Sequence, residues 1–525
     1  MRRKRFKQKR SVLARIFRTR LIFIILLVLI QGALYFLAGV NTKFHIIWAI
    51  LHVVIVTTMT LIIINSSWHR NNYKLAWIVP VLLMPVFGTV LYILTYLADS
   101  KAVFAEKSKK ILEKTNKYLE NDTDSILEYL SCEEKSIVHL ASKTYWFPAY
   151  VNYESKYLST GMEYFDALTR DIKNAKKYIF LEYFIICEGK IWNEILSILK
   201  QKVKDGVEVR VMYDGTNVVK YVNSKYDEEL ASYGIDVRVF SRLSLSYDSY
   251  LNDRDHRKIA IIDGEIAYTG GLNLHDEYAG LTNRYTSFKD GGVRLCGSIV
   301  NSFIIMFLHL WDLELDDMSN YKKYAIKNSV AAKLEELSKK EKDNLAYAIP
   351  YSHYPRFGQM VAESFILSLI NYATEYIYIY TPYLIMDEVM EQALIQAAGR
   401  GTKVHLILPK EPGKIYTYVL AHAHYKKLIK NNINIYEYPG MVHFKNFLSD
   451  DKRGIIGSIN LDYRSMFLDY ENAVYFYNDH ILKDMKNDME DAIKKSKKFT
   501  LADVEKFSRL EKISAAVMKL IAPLM

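Results

Sequence analysis

A pattern of five residue types, His-x-Lys-x4-Asp-x6-Gly-x2-Asn, occurs twice in this chain of 525 residues. The two copies start 187 residues apart. Their members are His256, Lys258, Asp263, Gly270 and Asn273, then His443, Lys445, Asp450, Gly457 and Asn460. Apolar runs broken by Asp, Gly and Asn indicate that each copy lies where a strand meets a turn. Such a repeat predicts one site built from two equivalent halves.

The residue types of the pattern are suited to covalent and acid–base chemistry at phosphorus. A neutral imidazole is a usable nucleophile near pH 7, and a protonated one is a usable acid, so His256 and His443 can divide these tasks. Side chains at i and i+2 of a strand share a face, which places Lys258 or Lys445 beside each histidine. With the amides of Asn273 and Asn460, these groups form a predicted cradle for a phosphate.

We predict no metal ion and no other cofactor for this site. The sequence lacks a dense carboxylate cluster or a Cys/His metal spacing, and Cys132, Cys187 and Cys296 are scattered. Asp263 and Asp450 belong to the predicted catalytic pattern by position. However, seven residues from a histidine they would lie on the opposite strand face and nearer a turn, which favours a structural role over a catalytic one.

The double pattern resembles the phospholipase D superfamily, and the residues around it are similar to those of bacterial cardiolipin synthases. Three stretches carry the resemblance: HRKIAIIDGEIAYTGGLNLHDEY (256–278), TPYLIMDE (381–388) and GSINLDYRSMFLDYE (457–471). It extends from about residue 75 to the C-terminus. The resemblance implies that His256 attacks a lipid phosphodiester to give a phosphatidyl-histidine. It also implies that His443 protonates the leaving glycerol and then deprotonates the incoming hydroxyl.

Members of this family place an acidic residue just before the strand that follows the motif, where it hydrogen-bonds to and orients the histidine. Glu471 matches this position. The same offset in the first copy falls on Arg284, so we assign the role there to Asp290. The second copy also departs from the family in having Phe444 between His and Lys, although strand alternation directs that ring to the opposite face.

The charge distribution argues against a nucleic-acid partner. The formal net charge is +11, but residues 1–20 hold ten Lys and Arg and no acid, which leaves 60 basic and 59 acidic residues for the rest. A basic tail ahead of an apolar segment is typical of membrane topology signals and of contact with anionic lipids. We therefore expect a membrane and anionic phospholipids as partners, with the oligomeric state left open.

Three segments without Asp, Glu, Lys or Arg, at about 21–40, 44–64 and 75–97, are each long enough to cross a bilayer core of roughly 30 Å as a helix. The third contains Pro80, Pro85 and Gly88, which predict a bent or re-entrant segment. Basic residues flank all three, and two crossings plus a re-entrant third satisfy the positive-inside rule. These features predict a multi-pass protein of the cell membrane with a cytoplasmic catalytic body.

The predicted fold is α/β, with membrane helices followed by two pseudo-symmetric phospholipase D-like repeats that share one active site. β-rich runs starting at residues 178, 207 and 236 recur at 376, 404 and 433, with helical periodicity between them. The predicted divisions are a basic tail (1–20), membrane segments (21–97), a connector (98–157), repeat 1 (158–319), a linker without strand character (320–357), repeat 2 (358–497) and a C-terminal amphipathic helix (498–525).

The leading functional prediction is a cardiolipin synthase that transfers a phosphatidyl group from one phosphatidylglycerol to another. A phospholipase D-type hydrolase, a phosphatidyltransferase with another acceptor and a nuclease are alternatives within the superfamily. The near-neutral body and the membrane segments count against the nuclease. A catalytically inactive membrane scaffold is the alternative from another class, and the intact His, Lys and Asn of both copies count against it.

Overall fold

The computed structural model describes residues 22–66, 71–96, 100–119, 123–242, 253–313, 318–324, 345–355 and 359–524. The predicted basic tail and most of the predicted linker lie outside the described residues, as do residues 243–252 of the first repeat.

The N-terminal part of the chain is helical and apolar. Helices Ile22–Val40 and Thr42–Asn65 are long and apolar enough to cross a bilayer, judged by length and composition. Asn41 separates them and caps the second, its side chain accepting the Phe44 N–H at 3.0 Å. Many large apolar side chains of both helices are exposed, as is expected of helices whose solvent is lipid.

The third apolar segment is bent, as its prolines and glycine predicted. It forms two helices, Asn71–Leu83 and Pro85–Tyr96, which fold back on one another around Met84. Gly88 makes this close approach possible, because a Cβ atom there would lie 2.6 Å from the backbone of Pro80. Whether this hairpin enters the membrane and returns stays a prediction.

The connector that follows is helical and joins the hairpin to the body. Its elements are Ser100–Thr115, Asn116–Tyr118, Thr123–Ile126, Leu127–Tyr129, Cys132–His139 and Leu140–Thr144. The Ser108 hydroxyl lies 2.8 Å from Nε2 of the buried His309, and Glu134 accepts a 2.7 Å hydrogen bond from Arg453. The connector therefore contacts both repeats.

The first repeat is a mixed sheet ordered β1-β9-β7-β6-β2-β3-β4, with parallel pairing among β2, β3 and β4 and antiparallel pairing elsewhere. The strands, including two short ones outside this sheet, are β1 (Tyr153–Leu158), β2 (Tyr178–Tyr183), β3 (Glu208–Asp214), β4 (Asp236–Phe240), β5 (Arg254–Asp255), β6 (Lys258–Ile262), β7 (Ile266–Gly270), β8 (Phe288–Lys289) and β9 (Gly292–Gly297). The helices are Gly161–Asn174, Lys190–Lys204, Asn217–Lys220, Tyr226–Ala231, Asp276–Ala279, Val300–Leu313 and Tyr321–Tyr324.

The second repeat has the same topology, ordered β10-β19-β17-β16-β11-β13-β14-β20. Its strands are β10 (Tyr347–His353), β11 (Tyr376–Tyr380), β12 (Leu384–Ile385), β13 (Lys403–Pro409), β14 (Asn434–Tyr438), β15 (Met441–Val442), β16 (Asn446–Ser449), β17 (Arg453–Gly457), β18 (Leu461–Asp462), β19 (Asp469–Tyr477) and β20 (Lys497–Lys498). Its helices are Val361–Asn371, Glu388–Gly399, Ile415–Lys430, Tyr463–Phe467 and Ile481–Lys495, followed by Leu501–Glu505, Arg509–Ile521 and Ala522–Leu524. The predicted duplicated α/β fold is confirmed.

The two sheets are packed together through a buried central helix. Every residue of Val300–Leu313 is buried, and the helix contacts β6 and β9 of the first sheet and β10 of the second. Alternate residues of β6 enter different cores: Ile259 and Ile261 join the core shared with the second sheet, and Ala260 and Ile262 join the core beneath the first repeat's own helices.

The prediction that 320–357 has no strand was wrong. Tyr347–His353 forms β10, an edge strand paired with β19. Its Pro350 looked like a strand breaker, but an edge strand tolerates a residue without an N–H. Its counterpart β1 likewise lies within the predicted connector. The predicted C-terminal helix is interrupted after Glu505, and a new helix begins after Ser508, whose side chain caps it.

The close approach at Gly88 predicts a pair of contrasting alanine variants. Gly88→Ala should lower the melting temperature, because the added methyl group meets the Pro80 backbone. Gly32→Ala is the matched control: no atom lies within 4 Å of a Cβ there, and both changes share the helix-propensity gain of about 1 kcal/mol. Thermal unfolding of the detergent-solubilised protein measures both, and equal melting temperatures would contradict the close approach.

Candidate active site

Two short parallel strand pairs join the repeats, and each of the two histidines follows one of these pairs. β5 pairs with the start of β19, after which the His256 N–H donates to the Tyr470 carbonyl at 2.9 Å. β15 pairs with β8, after which the His443 N–H donates to the Lys289 carbonyl at 2.8 Å. Each histidine is therefore held by backbone hydrogen bonds to the opposite repeat.

The residue that follows each of these carbonyls is a predicted orienting acid. Nδ1 of His256 lies 2.8 Å from Oε1 of Glu471, and Nδ1 of His443 lies 2.7 Å from Oδ2 of Asp290. Each carboxylate thus contacts the histidine of the other repeat. Because a carboxylate contacts Nδ1 of each ring, Nε2 is the nitrogen that faces away from that carboxylate in both cases.

The two lysines lie within the same buried site. Lys258 Nζ donates to the carbonyl of His256, and Lys445 Nζ donates to the carbonyl of His443. Lys445 Nζ also lies 3.2 Å from Nε2 of His443. Lys445 and Glu471 each interact electrostatically with Lys258 of the first repeat and with one another. The lysine of each copy therefore acts electrostatically on the histidines of both copies.

The two asparagines have different environments. Asn273 Oδ1 accepts from the Ile185 N–H at 2.9 Å, and its Nδ2 donates to the Tyr278 hydroxyl at 2.7 Å. Asn460 Oδ1 is buried, and among the described residues it has no hydrogen-bond partner. Both atoms of Asn273 are therefore used within the protein, whereas the unpartnered atom of Asn460 is an acceptor that a phosphate oxygen does not satisfy. The phosphate contact of either asparagine, which would need its Nδ2, stays a prediction.

Asp263 and Asp450 lie at the far end of the strands from the histidines, roughly 20 Å along the chain at strand geometry. Both have φ of +54° in the turn after the strand. Asp263 accepts from the backbone N–H groups of residues 176, 177 and 178, and Asp450 accepts from those of residues 374, 375 and 376. This geometry favours a structural role for Asp263 and Asp450 over a catalytic one.

Burial controls the electrostatics of the site. Burial, together with the positive charges of Lys258 and Lys445, lowers the pKa of His256 well below 6.5 and that of His443 to about 3. It also lowers the pKa of Lys258 to about 8 and that of Lys445 to about 7. Both imidazoles are thus neutral in the empty site, and an anion that enters between the lysines favours protonation of all four groups.

A buried ionic group behind the first histidine was not predicted. Arg257 is fully buried, and its Nε donates to Glu182 at 2.5 Å and lies 3.7 Å from Asp255. At the equivalent position of the second copy, Phe444 is fully buried and stacks between Tyr157 and Tyr380. A charged Arg just ahead of the apolar strand β6 was a signal for this group, but the sequence spacing did not identify its partners.

A second unpredicted group follows Asn460. Arg464, on helix Tyr463–Phe467, forms an ion pair of 3.0 Å with Asp469 and contributes to lowering the pKa of His256. Burial raises the pKa of Asp469 to about 8. On the same short helix the Tyr463 hydroxyl accepts a 2.7 Å hydrogen bond from Asn72. The helical hairpin therefore contacts the segment that borders the site.

Two family models match the chain. The one described as "Cardiolipin synthase, PLD-like domain" matches residues 168–284 and 366–493, one range in each repeat. The one described as "Phospholipase_D-nuclease N-terminal" matches residues 46–95. The matched ranges include both motif histidines, most of helix Thr42–Asn65 and nearly all of the helical hairpin.

Relatives of similar length cover most of the chain. A cardiolipin synthase of Clostridium perfringens (strain SM101 / Type A) is 30% identical over 471 residues, 86% of this chain and 94% of its own. One of Oceanobacillus iheyensis is 28% identical over 469 residues, 88% and 94% of the two chains. An uncharacterized protein of Streptococcus mutans is 37% identical over 469 residues, 89% and 99%. The crystal structure of phosphatidylserine synthase from Haemophilus influenzae shares the fold, with a TM-score of 0.55 and 15% identity over 70% of this chain and 93% of that one.

Two equivalent mixed sheets, with a His–Lys pair from each at their junction, define a phospholipase D-like enzyme of the phosphatidyltransferase type. Within that class, the chain belongs to the cardiolipin synthase family.

The position of Asp450 predicts that its loss affects stability rather than chemistry. Asp450→Ala should cost on the order of 2 kcal/mol, because three backbone donors lose their acceptor, and should leave turnover at low temperature within about threefold. Asp166→Ala, an exposed helical carboxylate, is the control and should change neither. Melting temperature and turnover at low temperature are measured on each variant. Loss of turnover without loss of stability would revive the catalytic interpretation.

Proposed function

We propose that this enzyme transfers the phosphatidyl group of one phosphatidylglycerol to a hydroxyl of a second, giving cardiolipin and glycerol. The observation that supports the proposal best is the pairing of each histidine with a carboxylate of the other repeat, beside two buried lysines. Family membership adds the class of substrate, since the named relatives are cardiolipin synthases. Anionic phospholipids are accordingly the proposed partners.

In the first half-reaction, Nε2 of His256 attacks the phosphorus of the donor lipid while its Nδ1 stays hydrogen-bonded to Glu471. The bond from phosphorus to the glycerol oxygen breaks, and His443, protonated in the presence of the anionic headgroup, gives its proton to that oxygen. Lys258 and Lys445 stabilise the charge on the non-bridging oxygens. Glycerol leaves, and the phosphatidyl group remains bound to His256.

In the second half-reaction, the now neutral His443 takes a proton from a hydroxyl of the second phosphatidylglycerol. The oxygen attacks phosphorus, the bond to His256 breaks, and cardiolipin forms. Asp290 holds the ring of His443 in one orientation for both proton transfers. The same groups would serve water or another alcohol, so the acceptor is set by what binds at the site.

The proposed orientation places the catalytic body on the cytoplasmic side. Arg70 and Lys74 follow helix Thr42–Asn65, and the N-terminal tail is basic. Two crossings by the first two helices bring both of these regions to one side, as the positive-inside rule favours.

Product analysis of the purified full-length enzyme tests the reaction. With phosphatidylglycerol in detergent micelles, we expect cardiolipin and glycerol in equal amounts. His256→Ala and His443→Ala should each lower the rate about 10³-fold or more, whereas His480→Ala, with a side chain 72% exposed, should not. Phosphatidic acid as the main product would indicate the hydrolase instead. Unaltered cellular lipids in both histidine variants would indicate the inactive scaffold.

Trapping the intermediate tests the assignment of the two histidines. The enzyme is incubated with phosphorus-labelled phosphatidylglycerol and worked up at alkaline pH, because the bond from phosphorus to histidine nitrogen is labile in acid and stable in base. The label should map to the peptide that contains His256. Label on the peptide of His443 would reverse the two roles without changing the overall reaction.

The lowered lysine pKa values predict the pH dependence. A lysine is cationic below its pKa, so attraction of the lipid phosphate is present at acidic pH and is lost as pH rises through about 7 to 8. Hence kcat/KM for phosphatidylglycerol should fall above about pH 7, while the acidic limb lies well below 6.5 because the nucleophile, His256, resists protonation. Lys445→Arg should move the alkaline limb upward, since a guanidinium stays charged. A profile with the same alkaline limb in both proteins would exclude Lys445 as its source.

A further inference from the structure

The C-terminal helix Arg509–Ile521 packs on the body through one narrow face. Glu511 accepts from Nδ1 of His422 at 3.0 Å, and Ala515 is buried. Met518 and Ala522 join an apolar cluster that includes Tyr73 of the hairpin and Tyr463 next to the site. The helix is thus fixed in place between helix Ile415–Lys430 and the hairpin.

The opposite face of this helix is apolar and uncovered. Leu510, Ile513, Val517 and Leu520 are 75%, 62%, 59% and 43% exposed. Their spacing of three, four and three residues places them in one stripe along the helix. Large apolar side chains exposed together in this way mark an interaction surface rather than a solvated one.

The charges beside this stripe are basic. Arg509, Lys512 and Lys519 are exposed, and the helix has a single acidic residue, Glu511, whose carboxylate contacts His422. An apolar stripe bordered by cations, with no exposed acid opposing it, is typical of helices that lie in the interface of an anionic bilayer.

The position of the helix also indicates a bilayer as its partner. It contacts Asn71–Leu83, the first helix of the hairpin that follows the two candidate membrane spans. Lys74 of that helix donates to the carbonyl of Ile64, at the end of the second span, at 2.7 Å. The stripe is therefore carried by a helix that packs directly on the segment emerging from the membrane.

We propose that helix Arg509–Ile521 is an interfacial membrane helix, whose stripe of Leu510, Ile513, Val517 and Leu520 enters the boundary between headgroups and acyl chains of an anionic bilayer. It lies parallel to the membrane surface, with Arg509, Lys512 and Lys519 at the level of the lipid phosphates. Since the same helix packs beside Tyr463 and Tyr73, it fixes the height of the site above the membrane.

Site-directed spin labelling of the full-length protein in nanodiscs tests this proposal. A label is placed at Val517→Cys or Ile513→Cys, and at Lys512→Cys as control, in a background with Cys132, Cys187 and Cys296 changed to Ser. Nanodiscs contain phosphatidylcholine with phosphatidylglycerol, or phosphatidylcholine alone. Accessibility to oxygen, which concentrates in lipid, is compared with accessibility to the aqueous reagent Ni-EDDA. Unchanged melting temperatures establish that the labelled proteins are folded.

We expect the labels at 513 and 517 to collide more with oxygen than with Ni-EDDA and the label at 512 to show the reverse. Removal of phosphatidylglycerol should bring the labels at 513 and 517 closer to the aqueous phase. Preference for Ni-EDDA at 517 would mean that the stripe faces water. Shielding from both reagents would mean that a protein, such as a second copy of this chain, covers it. Either result overturns the proposal, and unchanged depth without phosphatidylglycerol overturns its anionic part.

Discussion

The site depends on four backbone contacts that cross between the repeats: the strand pairs β5–β19 and β8–β15 and the two histidine N–H bonds that extend them. Each pair places the backbone of a histidine one residue from an acid of the other sheet. The side-chain bonds from His256 to Glu471 and from His443 to Asp290 follow from this register. A single repeat would present an imidazole without its acid, so the assembled pair of sheets is the smallest unit with a complete site.

Burial gives this site its electrostatic character. Four ionisable groups that would be partly or fully charged in water are held closer to neutrality, because desolvation exceeds the attraction of nearby carboxylates. An anionic headgroup reverses that balance by supplying the missing counter-charge. In the proposed reaction, protonation of His443 is then favoured only when substrate is present, which would link binding of the phosphate to readiness for its cleavage.

The sequence pattern predicted the duplicated fold, because an identical spacing of five residue types can arise from two copies of one strand–turn–strand unit. It also predicted the strands with strong apolar character, such as β6 and β17. The sequence did not predict that each acid contacts the histidine of the other repeat, because a contact of His256 with Asp290 and a contact with Glu471 agree equally well with the sequence. The edge strands β1 and β10 were missed because Pro350 and polar residues, which only an edge tolerates, obscured their periodicity.

The duplicated halves are unequal where they adjoin the chemistry. Behind His256 lies the ion group of Arg257, Glu182 and Asp255, whereas behind His443 lies the apolar stack around Phe444. Arg464 adds a cation near His256, on the short helix that also contacts the hairpin through Tyr463. A nearby cation disfavours protonation of His256, which agrees with its proposed role as a nucleophile that stays neutral. The segment from Leu461 to Phe467 therefore links His256, through Arg464, to the helical hairpin, through Tyr463.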